Sequence, residues 1–280
     1  MSYKQRRTRT TLVIVALASV IIPKLVMANF VGLRAKAIYA YDLNTKRILY
    51  EENSEAQLPI GSIAKIATAL VALENLDTSK KITIQKEVLT TEGDSGLKEG
   101  EEWNLRDLVT FMLLVSSNDA STALEIELGG RVETLLKLNK TARLLGLSQT
   151  YFLNSSGLDI SDRLAGVYSS AKDASILLAV FYKKYPEILK QTTLLNKEFR
   201  SNKYTHIADN TNRYVAEMTG LLGSKTGSTD LAGANLTIIF DSEIDRPVAF
   251  AILGSDPVNR FQEAMAIIER TLSELIGNEI

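Results

Sequence analysis

The chain has 280 residues, of which 45% are hydrophobic and 23% charged, and its formal net charge is -1. This is the composition of a globular protein with room for one large domain or two subdomains, and the near-zero charge gives no sign of nucleic-acid binding. Because cysteine is absent, a thiol nucleophile, a disulfide and a thiolate metal site are excluded. The single histidine, His206, provides no histidine cluster for zinc, and no Gly-x-Ser-x-Gly elbow supplies a serine for a Ser-His-Asp triad.

The first 28 residues have the layout of an export signal. The basic stretch "KQRRTR" precedes the apolar run "TTLVIVALASVII", and small residues follow at Val26 and Ala28. The run is short for a transmembrane helix, which needs about 20 apolar residues. We therefore predict that residues 1–28 are a signal peptide or an N-terminal membrane anchor, and that residues 29–280 lie outside the cytoplasmic membrane.

The rest of the chain reads as strands, then helices, then strands and a final helix. Alternating and helical apolar spacings predict strands at 36–43, 46–52, 220–228, 233–241 and 247–255, and helices at 61–76, 104–117, 119–128, 131–146, 170–185 and 258–277. Strands from both ends of the chain are expected to share one sheet, with the helical middle as an insertion. The pattern predicts an α+β fold with two subdomains and a cleft at their junction.

The pattern Ser-x-x-Lys can pair a nucleophile with a base, and it occurs three times. The three pairs are Ser62/Lys65, Ser95/Lys98 and Ser169/Lys172. The second pair lies in the polar stretch "TEGDSGLKEGEEW", where a lysine stays solvated and charged. The third lies in "SSAKD", which is typical of a helix N-cap. The first pair opens the most apolar helix of the chain, so the context favours it as the catalytic pair.

Ser62 and Lys65 have the spacing that a serine nucleophile and its base require. Residues three apart share one face of a helix, and the N–H groups at a helix N-terminus favour an oxyanion beside Ser62. A free lysine has a pKa of about 10.4, so a base near pH 7 needs a depression of roughly 3 units, or about 4 kcal/mol. Burial and a second cation can supply this depression, and Lys225 in "SKTGST" is the candidate cation.

Three short motifs therefore follow one another along the chain. They are Ser62/Lys65, then Ser116 and Asn118 in "SSND", then Lys225, Thr226 and Gly227. This order is the signature of penicillin-binding proteins and related β-lactamases. The stretches "YDLNTKRILYEENSEAQLPIGSIAKIATAL", "LKEGEEWNLRDLVTFMLLVSSNDAS", "NSSGLD", "YSSAKDASIL" and "GLLGSKTGSTDLAG" resemble those of the serine-type, low-molecular-mass D-alanyl-D-alanine carboxypeptidases. The resemblance covers residues 36–275.

The resemblance implies a fold and a class of substrate. The expected fold is β-lactamase/transpeptidase-like: an antiparallel sheet flanked by helices, a mostly helical subdomain, and an active site at their junction. Residues 29–280 are then a DD-peptidase domain that acts on peptidoglycan stem peptides and is acylated by β-lactam antibiotics. The resemblance implies no metal, no organic cofactor and no nucleic-acid partner, and contact with a membrane only through the N-terminal segment.

The resemblance also assigns roles to the residues of the three motifs. Ser62 attacks the carbonyl between two D-alanines and Lys65 takes its proton. Ser116 passes a proton to the leaving amine, and Asn118 holds both the substrate amide and Lys65. Lys225 supplies a second positive charge, which lowers the pKa of Lys65 and attracts the substrate carboxylate.

Further residues are assigned to substrate binding by the same resemblance. The backbone N–H groups of Ser62 and Ser228 form the oxyanion hole, and Thr226 hydrogen-bonds the substrate carboxylate. Gly227 lets the substrate backbone approach the strand edge. Arg260 resembles an arginine that binds the terminal carboxylate, with a solvated residue at the start of a helix as the alternative. Asp119 is read either as a charge at a helix N-terminus or as a contact in the site.

The chain departs from the family pattern in three places. Ala64 stands where relatives often have threonine, which changes little because the position is variable. Ser117 stands where glycine is common, so a side chain is expected at the cleft. The sequence ends just after the last predicted helix, so the β-rich domain and C-terminal anchor of many family members are not expected here.

Alternative functions remain open from the sequence. A D,D-endopeptidase would use the same residues to cut peptidoglycan crosslinks. A β-lactamase is disfavoured, because the Glu-x-x-Leu-Asn pattern that supplies its deacylating glutamate does not occur. A non-catalytic wall-binding protein would have lost part of its site, whereas all three motifs are intact here.

Overall fold

The computed structural model describes residues 33–277, which contain twelve strands and seven α-helices. The strands are β1 (Ala37–Asp42), β2 (Ile48–Glu52), β3 (Leu58–Pro59), β4 (Lys81–Thr83), β5 (Glu102–Asn104), β6 (Tyr151–Phe152), β7 (Val167–Ser169), β8 (Asn196–Arg200), β9 (Thr205–Asp209), β10 (Leu221–Thr229), β11 (Gly233–Asp241) and β12 (Pro247–Ser255). The helices are α1 (Lys65–Asn75), α2 (Leu105–Val115), α3 (Asn118–Glu127), α4 (Arg131–Leu144), α5 (Ala171–Lys184), α6 (Pro186–Lys190) and α7 (Asn259–Gly277).

Five strands form one antiparallel sheet in the order β10-β11-β12-β1-β2. Strand β1 lies between β12 and β2, with Ala37 opposite Leu253 and Ile38 opposite Glu52. Strands from the beginning and the end of the chain therefore share the sheet, which confirms the predicted arrangement. All six residues of β1 are buried, so both of its faces are covered.

Two helices cover this sheet. Helix α5 packs against β1, β11 and β12, and α7 packs against β2, β11 and β12. In α5 the buried residues Ala174, Leu177, Leu178 and Phe181 recur at helical spacing, which gives the helix one apolar face. The layered arrangement confirms the predicted α+β class.

Helix α1 lies at the centre of the helical part of the molecule. It packs against α2, α3, α4 and α5, and residues 65–73 are buried without interruption. A helix that is apolar on all sides is stable only when it is surrounded, which agrees with this position. The only charged residue in the buried stretch is Lys65, so the fold places one ammonium group inside an apolar layer.

The start of α1 meets the edge of the sheet. Before α1, residues Gly61–Ala64 form a single turn of 3-10 helix, which packs against the edge strand β10. The helix predicted from residue 61 thus begins with a tighter turn. This contact brings the first and third sequence motifs together at the junction of sheet and helices, as the sequence predicted.

The sequence reading missed one hairpin and several short strands. Strands β8 and β9 pair with Phe199 opposite His206, and the hairpin contacts α2. Its buried side chains are few, namely Phe199, His206 and Ala208, and the apolar Ile207 between the last two is exposed. Two alternating strands with so few apolar residues give a weak periodic signal.

The predicted export signal, residues 1–28, lies outside the described residues. Within residues 33–277 no helix combines the length and apolar character needed to cross a membrane.

Candidate active site

A cleft of about 330 Å³ opens where the turn before α1 meets β10. Its lining includes five of the residues predicted for the site: Ser62, Ser116, Thr226, Ser228 and Arg260. The predicted residues Lys65, Asn118, Lys225 and Gly227 join the same site through hydrogen bonds or packing contacts. The structure therefore assembles all nine predicted residues at one place.

Lys65 is completely buried and its ammonium group is the centre of the site. Its Nζ lies 2.7 Å from each of three oxygens: Oγ of Ser62, Oδ1 of Asn118 and the carbonyl of Ser156. All three acceptors are neutral, so they satisfy the N–H groups without compensating the positive charge. Burial lowers the pKa of Lys65 to about 7, because the charged form loses its hydration.

Lys225 is a second buried lysine in the same site. Its Nζ lies 2.9 Å from Oγ of Ser116 and 2.8 Å from the carbonyl of Thr226. Burial, and then the charges of Lys65 and Arg260, hold the pKa of Lys225 well below its usual value. Burial thus lowers the pKa of both lysines, and the repulsion between the two ammonium groups acts in the same direction.

Asn118 joins the nucleophile pair to the loop before α2. Its Oδ1 accepts from Lys65, and its Nδ2 donates to the carbonyl of Glu92 at 2.7 Å. Since a primary amide nitrogen carries two hydrogens, the contact with Glu92 uses one of them. Asn118 sits at the start of α3, and Ser116 precedes it with a left-handed backbone (φ 64°) that turns the chain from α2 into α3.

The side chains of Ser117 and Asp119 are buried rather than open to the cleft. Ser117 Oγ caps α3 by accepting from the Ala120 N–H at 2.9 Å, and it lies 2.7 Å from Ser95 Oγ. Asp119 Oδ2 accepts from the same Ser95 hydroxyl at 2.7 Å. Ser117, the residue that departs from the family pattern, therefore caps α3 and contacts the loop around Ser95.

The backbone of β10 approaches the turn that carries Ser62 very closely. A Cβ placed on Gly227 would lie 2.3 Å from the carbonyl oxygen of Ile60, so only glycine permits this approach. A Cβ on Gly61 would lie 3.0 Å from the backbone nitrogen of Ser228. The N–H of Ser228 is thus held next to the residue that precedes Ser62, on the side of the cleft.

Arg260 reaches the same cleft from the first turn of α7. Its Nη1 is 3.3 Å from the carbonyl of Gly227, and its guanidinium lies 4.6 Å from the ring centre of Phe261. The buried Nε has no hydrogen-bond partner among the described residues, and burial lowers the pKa of Arg260 to about 10. The neighbouring Thr226 Oγ1 donates to Thr211 Oγ1 at 2.7 Å.

The other two Ser-x-x-Lys pairs are not catalytic pairs. Lys98 is exposed and lies 4.3 Å from the ring centre of Tyr204, while Ser95 is bound to the second motif. In the third pair, Lys172 forms an ion pair with Glu55. The N-cap of α5 is Ser170, the residue after Ser169. Both predictions from context agree with the structure.

His206 is part of a buried structural cluster. Its Nε2 lies 2.8 Å from Oε2 of Glu101, and its ring stands 5.1 Å from that of Trp103. The side chain of His206 is therefore buried in the core between β9 and α2, and it does not pair with Ser62.

Known proteins resemble this chain in sequence and in fold. The sequence profile of the peptidase S11 family, described as D-alanyl-D-alanine carboxypeptidase, matches residues 25–256. This chain belongs to the peptidase S11 family. Penicillin-binding protein D2 from Listeria monocytogenes, solved in its ampicillin-bound form, is similar in fold: it superposes with a TM-score of 0.75 at 28% identity, over 86% of this chain and 98% of that one.

Two curated relatives of this S11 domain carry different names. The chain is 32% identical over 251 residues to the D-alanyl-D-alanine carboxypeptidase DacF of Bacillus subtilis, covering 86% of this chain. It is 30% identical over 220 residues to a D-alanyl-D-alanine endopeptidase of Pseudomonas aeruginosa, covering 76% of this chain and 68% of that protein. The match spans 62% of the length of DacF.

The motif analysis missed two backbone groups of this S11 site. The carbonyl of Ser156 accepts from Lys65, and the carbonyl of Glu92 accepts from Asn118. Backbone acceptors leave no residue-type signal, and the stretch "NSSGLD" that contains the first of them was noted only for its resemblance to the family. The carbonyl of Glu92 lies in the polar stretch "TEGDSGLKEGEEW", which the sequence analysis interpreted as a solvated loop.

Proposed function

We propose that this protein is a serine D-alanyl-D-alanine carboxypeptidase that removes the terminal D-alanine from peptidoglycan stem pentapeptides. The observation that carries the proposal is the contact of 2.7 Å between Lys65 Nζ and Ser62 Oγ, with the pKa of that lysine at about 7. A lysine in this state is half neutral near pH 7 and so can act as a general base. Membership of the S11 family supports the reaction class.

In the acylation step, Ser62 Oγ attacks the carbonyl carbon of the penultimate D-alanine while Lys65 takes the hydroxyl proton. The tetrahedral intermediate places its negative oxygen between the N–H groups of Ser62 and Ser228. The bond from carbon to the amide nitrogen then breaks, and the proton returns to the leaving amine through the hydroxyl of Ser116. The products are free D-alanine and an ester on Ser62.

Water completes the cycle by attacking the ester, with its proton taken by Lys65. The ester bond to Ser62 Oγ breaks, the shortened peptide leaves with a new carboxylate, and the serine recovers its proton. A neutral Lys65 is needed in both half-reactions, so the lowered pKa serves each of them.

The cations on the β10 side of the cleft fit a terminal carboxylate. Arg260, with a pKa of about 10, is charged at neutral pH, and Lys225 is a second cation when it is protonated. Thr226 lines the same side of the cleft, and its hydroxyl can turn from Thr211 toward a bound carboxylate. A carboxylate bound here would pair with Lys225 and raise the pKa of that lysine, so substrate binding would relieve the repulsion between the two ammonium groups. An uncharged C-terminal amide would lose this interaction.

A D,D-endopeptidase is the second candidate, because one of the relatives at 30% identity is named as an endopeptidase. The deciding experiment incubates the purified protein with monomeric pentapeptide and with crosslinked muropeptides, and follows both by mass spectrometry. Loss of one alanine from the monomer, abolished by Ser62→Ala, establishes the carboxypeptidase. Cleavage of crosslinks with an untouched monomer assigns the endopeptidase, and turnover of neither substrate favours a wall-binding role.

Two further properties belong to this proposal. The protein is exported through residues 1–28, as their composition suggests, and acts on the outer side of the cytoplasmic membrane. β-Lactam antibiotics acylate Ser62, a property supported by the ampicillin-bound structure of the Listeria protein. Labelled penicillin that attaches to the protein but not to the Ser62→Ala variant tests the second property.

A further inference from the structure

Residues 154–159, "NSSGLD", form a short segment that we call the strap. The strap is stiffened by its own first residue, Asn154, whose Oδ1 accepts from the Gly157 N–H and whose Nδ2 donates to the Leu158 carbonyl, each at 2.8 Å. It lies between β6 and β7, at the side of the cleft that faces the nucleophile. Three parts of the site are in contact with it.

The first two contacts are made to the nucleophile side. The carbonyl of Ser156 accepts from Lys65 Nζ at 2.7 Å. Gly157, with φ at 85°, lies against the turn of Ser62: a Cβ placed on it would be 2.0 Å from the carbonyl oxygen of Gly61 and 3.1 Å from the Ser62 nitrogen. The strap therefore fixes the position of both the base and the turn that carries the nucleophile.

The third contact is made by Asp159 to the turn between β10 and β11. Its Oδ1 accepts from Thr229 Oγ1 at 2.9 Å, and its Oδ2 accepts from the Leu231 N–H at 3.1 Å. Thr229 Oγ1 in turn accepts from the Ala232 N–H at 3.1 Å. One half-buried carboxylate thus ties the strap to the turn that directly follows Ser228.

We propose that Asp159 is a positioning residue, which holds the N–H of Ser228 at the place where the oxyanion of the reaction develops. The inference rests on the proposed function, because it assumes acylation of Ser62. Its basis is geometric: the strap is joined to Ser62 at one end and to the residue after Ser228 at the other. The separation of the two N–H groups is therefore set by the direct packing of β10 on the turn of Ser62 and, in addition, by the strap, which contacts both sides.

The reaction is sensitive to this separation. An oxyanion donor must lie within about 2.7–3.1 Å of the oxygen, and a misplacement of about 1 Å can lower a rate by about a hundredfold. Without the carboxylate, the turn after Ser228 loses two hydrogen bonds to the strap, while the contacts of Lys65 and Asn118 are unchanged. The change therefore acts on the transition state rather than on the nucleophile or on its base.

The test measures acylation of the full-length protein by a fluorescent penicillin over a range of concentrations. We expect Asp159→Ala to lower the maximal acylation rate by about 10-fold to 100-fold, with the dissociation constant of the initial complex changed less than about threefold. Asp159→Asn retains one acceptor and is expected to lose less. Thr229→Val should resemble Asp159→Ala, whereas Thr229→Ser keeps the hydroxyl and should acylate like the unsubstituted protein.

The control for charge is Asp162→Ala, which removes an exposed carboxylate shortly after the strap and should leave the rate unchanged. Melting temperatures are recorded for every variant. Acylation of Asp159→Ala at the unsubstituted rate, or a loss that only follows its unfolded fraction, overturns the inference. Failure of the unsubstituted protein to be labelled on Ser62 overturns the proposed function itself, and with it the role of Asp159.

Discussion

Helix α2 has a buried polar cluster at each end. One cluster surrounds a carboxylate with hydrogen-bond donors, and the other holds two lysines without a carboxylate partner among the described residues. Before its first residue, Glu101 accepts hydrogen bonds from His206, Trp103 and the backbone of Lys98, at 2.7 to 2.9 Å. After its last residue, Ser116 meets Lys225, with Lys65 nearby in the same site. Within residues 33–277 no carboxylate pairs with either of these two lysines.

The difference separates a structural cluster from a reactive one. A buried carboxylate that receives several donors is stabilised and holds its neighbours in place. A buried lysine that meets only neutral acceptors loses hydration without gaining a counter-charge, and its pKa falls. Burial without a counter-charge is therefore the reason that Lys65 could serve as the base of the proposed mechanism near neutral pH.

The largest expected effect follows from replacing the base. Lys65→Met keeps most of the side-chain volume and removes the proton acceptor, so we expect acylation by labelled penicillin to slow by about 1,000-fold. Lys172→Met is the matched control, since Lys172 has the same spacing from a serine but pairs with Glu55 at the surface. A Lys65→Met protein that is acylated at a normal rate would show that another group accepts the proton.

The structural cluster should respond in stability instead. Glu101→Ala leaves the ring of His206 and the indole N–H of Trp103 without their buried acceptor, and we expect the free energy of unfolding to fall by about 3 kcal/mol. Urea denaturation measures this loss, with Glu102→Ala, an exposed neighbour, as the control. The folded fraction of Glu101→Ala should still be acylated normally; a specific loss of acylation would contradict the division into two clusters.

The pH dependence of acylation tests the reactive cluster without a substitution. Because the pKa of Lys65 is lowered to about 7, its neutral form is lost as the pH falls below that value. The acylation rate should rise about tenfold per pH unit between pH 5 and pH 7 and level off above. Since two lysines share the site, the midpoint belongs to the pair. A rate that stays constant from pH 5 to pH 8 would exclude Lys65 as the base.

The smallest effect is expected at Ser117, a structural residue placed inside the second motif. Its hydroxyl caps α3, so Ser117→Ala should lower the free energy of unfolding by about 1 kcal/mol, as measured by thermal unfolding. Ser116→Ala is the comparison: it should slow acylation and leave stability nearly unchanged. Equal loss of activity in both variants would mean that the capping of α3 also sets the geometry of the site.

Much of this molecule could be predicted from its sequence. The sheet strands and main helices follow from apolar periodicity, and the three motifs single out Ser62, Ser116 and Lys225 because reactive residue types recur in a known order. The buried lysine was expected from its apolar helix. Each of these features is encoded by side-chain type and spacing, which a sequence displays directly.

The features that were missed depend on the backbone and on the third dimension. The carbonyl of Ser156 is an acceptor that any residue could provide, and its role arises only because the strap passes Lys65. Gly227 was expected to admit the substrate, whereas the structure shows that β10 needs a glycine there to approach Ile60; its role toward substrate stays a prediction. The hairpin of β8 and β9 was lost because it buries too few apolar residues to give a period.

Strand β1 is among the first parts of the described chain to be synthesised, yet its neighbour β12 is among the last. Until residues 247–255 have been made, β1 has in this sheet only β2 as a partner, and an isolated two-stranded hairpin is marginally stable in water. Lys225 and Ser228 lie on β10, which brings them to Ser62 and which is linked to β1 through β11 and β12. The residues of the candidate site therefore come together only when folding of the whole sheet is complete, so we expect a nascent chain to lack an assembled site.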